Sequence, residues 1–132
     1  MNLKFHHIGI ATINIENAIK QYELLGYSFD NRFYEDKFQD VKIAFLKQKG
    51  HPLIEVITPL SLKSHLHNII SKIGSSPYHT CYEVENLKNT IDMLRKNNFI
   101  IIQPPIEAVA FSNKRISFLF NKDIGIIELL ES

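Results

Sequence analysis

Four side chains in this sequence are of the types that hold a divalent cation, and they recur at matched spacing. His7 stands in Phe5-His6-His7-Ile8-Gly9-Ile10-Ala11, and His79 in Pro77-Tyr78-His79-Thr80-Cys81. Glu55 lies in Leu53-Ile54-Glu55-Val56-Ile57, and Glu128 in Ile126-Ile127-Glu128-Leu129-Leu130. His7 precedes Glu55 by 48 residues, and His79 precedes Glu128 by 49. Each glutamate is flanked on both sides by aliphatic residues, so its strand reads as covered on both faces. An ionised carboxylate removed from water costs several kcal/mol unless it is paired or bound to a metal. Each glutamate therefore needs a partner, a raised pKa or a sheet edge. Two neutral imidazoles and two carboxylates form a donor set of net charge −2, suited to one divalent ion. With water in the open positions it fits octahedral Ni, Co, Mn or Fe, or Zn with an expanded shell. The alternative is four polar core residues joined by ordinary hydrogen bonds.

The elements that must position these residues form a repeat. Residues 7–27 (HIGIATINIENAIKQYELLGY) align without a gap with residues 79–99 (HTCYEVENLKNTIDMLRKNNF) at an offset of 72. Each copy is an alternating strand, an Asn suited to a helix N-cap (Asn14, Asn86), and apolar residues at helical spacing. Gly26 and Asn97-Asn98 are placed to end the two helices. Further strands are predicted over 28–35, 40–48 and 52–58 in the first copy. In the second they are predicted over 99–103, 106–111, 115–121 and 124–131. A hinge over 61–76 is expected to hold a short helix capped by Ser61 or Ser64. The fold class expected is α+β: two tandem βαβββ modules, about 1–60 and 77–132. They would form a cupped mixed β-sheet with the helices on the outer face. His7 alternates with Gly9 and Ala11 on one strand face, and His6 with Ile8 and Ile10 on the other. That places His7 toward the concave side and His6 toward the helix side, as a structural histidine.

Composition narrows the class. The chain has 132 residues, 45% hydrophobic and 22% charged, with a formal net charge of +1. That balance is globular, and it argues against a nucleic-acid or membrane-surface protein. Cys81 is the single cysteine, which suits a reducing cytoplasm. The N-terminus lacks the apolar core of a signal peptide, and no apolar run is long enough to span a bilayer. His65 and His67 point apart on a helix, His51 reads as a solvated turn residue, and Cys81 reads as buried packing on the His79 face.

Paired βαβββ modules carrying His…Glu…His…Glu resemble the vicinal oxygen chelate superfamily, which includes glyoxalase I, methylmalonyl-CoA epimerase, extradiol dioxygenases and antibiotic-binding proteins. The resemblance covers nearly the whole chain. It is carried by "HHIGIAT", "VKIAFLKQ", "LIEVITPL", "PYHTCYEVENL" and "IGIIELLE", and is nearest to methylmalonyl-CoA epimerase-like and glyoxalase I-like bacterial proteins. By position it implies His7, Glu55, His79 and Glu128 as ligands of one divalent metal ion. The chain departs from glyoxalase I where Asn121-Lys122-Asp123-Ile124-Gly125 replaces an Asp-Pro-Asp-Gly turn. Arg32 is also the only arginine of the first half, so glutathione-binding arginines are hard to find. It departs from some epimerases at Ile43, where they carry an additional acid/base carboxylate.

A carbonyl substrate bound at such an ion would have an acidified α-proton and a stabilised enolate. Glu128 is the expected base and Glu55 the pseudo-symmetric acid or second base. Proton return to the opposite face gives epimerisation; transfer to the next carbon gives glyoxalase-type isomerisation. Lys114 and Arg115 are candidates to anchor an anionic tail, and Phe111, with Phe45, to line the cavity. The function expected is a metal-dependent isomerase or epimerase, nominally of methylmalonyl-CoA. A lactoylglutathione lyase-like enzyme and a non-catalytic small-molecule-binding protein are the alternatives. The expected partners are a small carbonyl or acyl-thioester substrate and a second copy in a homodimer, with no nucleic acid and no membrane. The cup is expected to close either within one chain or across a swapped dimer.

Overall fold

A computed structural model describes residues 3–132. The described elements are nine strands, three α-helices and one 3-10 turn, an α+β chain with mixed parallel and antiparallel strand pairing. Residues 7–78 form one compact unit. Residues 79–132, with the segment up to His6, form the other.

In the first unit, β1 (Lys4–Ala11) leads into α1 (Ile15–Leu24). The Asn14 side chain accepts the Asn17 N–H at 2.9 Å, the expected N-cap. Ile15 and Ile19 of α1 are buried with Ile10, Ala44, Leu46, Ile54 and Val56, and Ala18 and Tyr22 pack against them. Helical spacing puts these four α1 residues on one stripe, and burial of that stripe holds the helix to the sheet. Gly26 follows the C-cap at φ +99°, a conformation that favours glycine, and an added Cβ would meet the Gln48 side chain.

The strand predicted over 28–35 is two: β2 (Ser28–Phe29) and β3 (Tyr34–Asp36). Asn31 breaks it at φ 64°, and the Asp30 carboxylate accepts the Arg32 N–H at 3.0 Å. Both short strands pair antiparallel with one edge of β4 (Val41–Lys47), whose other edge pairs with β5 (Leu53–Pro59). β5 runs parallel to β1 in the register His7↔Leu53, Gly9↔Glu55, Ala11↔Ile57. The expected short helix is α2 (His65–Ile73), capped by Ser64, which accepts the Leu66 N–H.

The second unit repeats the plan. β6 (Ser76–Val84) leads to α3 (Leu87–Arg95), where Asn86 accepts the Asn89 N–H at 2.9 Å. Leu87, Ile91 and Leu94 are buried with Val84, Leu119, Ile127 and Leu129. Asn98, at φ 68°, turns the chain out of the helix. β9 (Gly125–Glu131) is parallel to β6, and β8 (Lys114–Asn121) is antiparallel to both β9 and β7 (Ile100–Ala108). β7 joins the two strands predicted over 99–103 and 106–111. It passes through Pro104-Pro105 by shifting register around Gln103. Proline cannot donate to a ladder, and β7, paired here with β8 alone, tolerates it as an edge strand does. Val109–Phe111 then form a 3-10 turn in place of the last predicted strand residues.

Candidate metal centre

In each unit the helix covers one sheet face, and the histidine and glutamate project from the other. Residues paired across a ladder share a face, so in the first unit His7, Gly9 and Ala11 line up with Leu53, Glu55 and Ile57. In the second, the register His79↔Ile126 and Cys81↔Glu128 gives the same arrangement. His7 Nε2 lies 3.2 Å from Glu55 Oε1. His79 Nε2 lies 3.4 Å from Glu128 Oε1. All four residues are buried, His7 at 0% exposure and neither glutamate above 2%. The repeat that the sequence carries is thus a repeated His–Glu contact, made by the same atoms in both units.

Each contact is held by a phenylalanine. Phe45 of β4 pairs across the ladder with Glu55, and Phe118 of β8 pairs with Glu128. The His7 ring meets Phe45 edge to face with centroids 6.3 Å apart, and the His79 ring meets Phe118 likewise at 5.4 Å. An edge-to-face aromatic pair fixes the imidazole plane, and the plane aims Nε2 at the carboxylate. Phe118 was not among the expected site residues. Its signal is a second stretch of the repeat, Lys42-Ile43-Ala44-Phe45-Leu46 against Arg115-Ile116-Ser117-Phe118-Leu119, at an offset of 73.

The donor set fits a divalent cation. Each of the four residues offers one imidazole nitrogen or carboxylate oxygen, donors that Zn and the neighbouring first-row ions accept. Neighbouring donors of an octahedral ion with bonds of ~2.1 Å stand about 3 Å apart, close to the two Nε2–Oε1 separations.

The other expected residues divide. Lys114 lies on the Glu128 side of the second unit, since it alternates with Ile116 and Phe118 and pairs with Ala108. Phe111 packs against the buried cluster of Cys81, Ala108, Ile116 and Leu130. Arg115 is on the opposite face, with Ser117 and Leu119, and so is set apart from Lys114. Its Nε and Nη2 donate to Glu131 Oε1 at 3.0 and 2.9 Å, and Nη2 donates to Oε2 at 3.0 Å. Glu131 Oε2 also accepts the Leu87 N–H at the start of α3, at 3.2 Å. The guanidinium is thereby part of the α3 anchor. His6, which alternates with Ile8 and Ile10, meets Phe111 edge to face at 5.6 Å. Ile43 is buried on the Glu55 side, paired with Ile57.

The Arg115–Glu131 anchor has a pH signature. The hydrogen bond from Arg115 holds the Glu131 carboxyl below the usual carboxylate range, outweighing its burial, and the Leu87 N–H and the charge of Arg115 add to it. A carboxyl depressed in the folded state stabilises the fold above its unfolded pKa. That contribution is lost as pH falls through the lower folded value. Arg115→Ala should therefore lower the thermal unfolding midpoint at pH 7, and the gap to wild type should narrow below the ordinary 4.5. A gap independent of pH would leave packing as the only role of the side chain.

Residues 6–118 match the family model of the Glyoxalase/Bleomycin resistance protein/Dioxygenase superfamily, and the chain belongs to that superfamily. It is similar to the uncharacterized protein YqjC of Bacillus subtilis (strain 168), at 28% identity over 131 residues, 97% of this chain and 91% of YqjC. Among solved structures it is similar to the hypothetical protein BH1468 from Bacillus halodurans C-125. That match has a TM-score of 0.87 and 26% identity, and covers 100% of this chain and 96% of the other. It is likewise similar to methylmalonyl-CoA epimerase from Mycobacterium tuberculosis, with a TM-score of 0.83 and 26% identity over 97% of this chain and 87% of the other. The superfamily and its structural neighbours thus include enzymes. Among the described residues no helix is long and apolar enough to cross a membrane.

Proposed function

We propose that the two His–Glu pairs share one divalent ion and that the protein is a metal-dependent epimerase. Its substrate would be an acyl thioester of the methylmalonyl-CoA kind. The observation that carries this is the buried Nε2–Oε1 contact repeated in both units. One pair alone supplies two protein donors, fewer than the three that a catalytic ion ordinarily keeps. Two pairs supply four and leave open positions for substrate oxygen. The structural likeness to methylmalonyl-CoA epimerase supports the choice of substrate class.

The bound ion would polarise the thioester carbonyl and offset the negative charge that develops when the α-proton leaves. Glu128 Oε takes that proton as the Cα–H bond breaks and its electron pair moves into the acyl π-system. Glu55 passes a proton taken up from solvent to Cα from the opposite face, and exchange with solvent resets both carboxyls. Ile43 holds no proton, so the transfer falls to the two glutamates. Phe45 and Phe118 keep the imidazoles fixed while the carboxylates move. Lys114 lies on the Glu128 side and anchors the anionic tail of the thioester, with Phe111 as an apolar wall. We place the enzyme in the cytoplasm as a homodimer.

The test is deuterium uptake at the α-carbon of methylmalonyl-CoA in D2O by metal-loaded protein. Uptake with loss of stereochemical purity is expected. Turnover of a hemithioacetal without α-exchange of the thioester would favour a glyoxalase-type lyase. Metal-replete protein inert toward both would leave a binding protein.

A further inference from the structure

In the second unit, the sheet face that carries the ligands reaches solvent along one row of the ladder. Cys81, Glu128 and Phe118 form one row, and His79, Ile126, Phe120 and Ile100 form the next. Exposure rises outward along this second row. His79 is buried and Ile126 half-buried, whereas Phe120 is 38% and Ile100 64% exposed. The row therefore ends in a bare apolar shelf. Lys122 and Asp123, in the adjoining turn, are exposed.

The architecture does not require apolar residues there. In the first unit Lys47 stands two residues beyond Phe45, as Phe120 stands two beyond Phe118. Lys47 pairs with Ser28, as Phe120 pairs with Ile100. The same two positions thus hold a lysine and a serine, both exposed. Phenylalanine and isoleucine keep apolar surface in contact with water, at a cost that scales with its area. Contiguous exposed apolar surface of this kind marks a place where something binds.

A second copy of the chain is too large an occupant. Phe120 and Ile100 together present on the order of 200 Å² of apolar surface, against the ~800 Å² that each partner contributes to a stable interface. What the shelf adjoins is the candidate metal centre. Its row begins at His79, and Phe120 follows Phe118, the ring that meets His79, on the same strand face. Lys114 and Ile116 precede Phe118 on that face, toward the other end of β8. An acyl thioester with its anionic tail at Lys114 and its carbonyl beside Glu128 sends its acyl chain toward the shelf. At a strand spacing of ~4.8 Å, Phe120 lies roughly 10 Å and Ile100 roughly 14 Å across the sheet from the His79 strand. A methyl branch falls short of that distance. An alkyl chain of about six carbons, at ~1.5 Å per bond, reaches Phe120.

Resting on the epimerase reading above, we propose that Phe120 and Ile100 bind an alkyl chain on the α-carbon of the substrate. The preferred acyl thioesters then carry a chain longer than methyl. Each added methylene leaves water as the chain lies down. Full burial of a methylene raises affinity about fourfold, and a shelf that covers one side of the chain gives about twofold.

The test measures equilibrium binding of propionyl-CoA, hexanoyl-CoA and octanoyl-CoA to metal-loaded wild type and to the double variant Phe120→Lys/Ile100→Ser. The variant copies the residue types of the first unit, and its unfolding midpoint checks that it folds. Wild-type affinity should rise about twofold per methylene, roughly thirtyfold from propionyl-CoA to octanoyl-CoA. In the variant most of that rise should vanish, with affinity for propionyl-CoA unchanged. Affinity independent of chain length in wild type, or a rise retained in the folded variant, overturns the shelf and leaves the epimerase reading standing. A wild type that sediments as a dimer and a variant that sediments as a monomer would give the patch to a second copy, and also overturn it. Wild type that binds none of the thioesters overturns both readings.

Discussion

Glu128→Gln, measured at metal saturation, should slow deuterium uptake into the methylmalonyl-CoA enantiomer whose α-proton faces Glu128 by two to four orders of magnitude, the range over which a positioned general base acts. The side chain is nearly isosteric, so the buried ladder around it, Cys81 on one side and Phe118 on the other, is retained. The amide keeps one oxygen donor while losing the basic site. Glu55→Gln should behave differently. Uptake requires one base, whereas inversion requires proton delivery from the other face as well. The Glu55 variant should therefore keep measurable uptake into one enantiomer and lose interconversion. The weaker donor oxygen lowers metal affinity in both variants, so the comparison is made at saturating Co or Ni. A Glu128→Gln protein that exchanges at the wild-type rate removes Glu128 from the chemistry.

Much of this was legible in the sequence because buried charge is conspicuous. A glutamate between aliphatic neighbours must find a partner, and Glu55 and Glu128 find His7 and His79. The repeat made the helices legible too, since Asn14 and Asn86 are the same cap in two copies. Phe118 escaped because the offset changes from 72 to 73 between the helix and the later strands, which hides its match to Phe45. Adjacency misled at Lys114 and Arg115: neighbours on a strand point to opposite faces, and only the register tells which face holds Glu128. The merging of two predicted strands into β7 was hidden by Pro104-Pro105, which ordinarily end a strand and here sit at a shift of register.

The second large effect concerns metal. If two buried pairs hold one ion, removing one imidazole from either unit should release that ion whole. His7→Ala and His79→Ala should each fall to a small fraction of the wild-type metal content. Both should also lose the increase in unfolding midpoint that added metal gives wild type. That increase reflects binding to the folded state alone, about 4 kcal/mol at a thousandfold excess over Kd. The two substitutions lie in different units and touch different glutamates, so equal losses have no local explanation. The decisive measurement is metal stoichiometry by mass spectrometry after loading with Co and removal of excess, on wild type and both single variants. One ion per chain in wild type and almost none in either variant is the predicted result. Two ions per chain in wild type with one retained in each variant, or no bound ion in wild type, would contradict a shared centre.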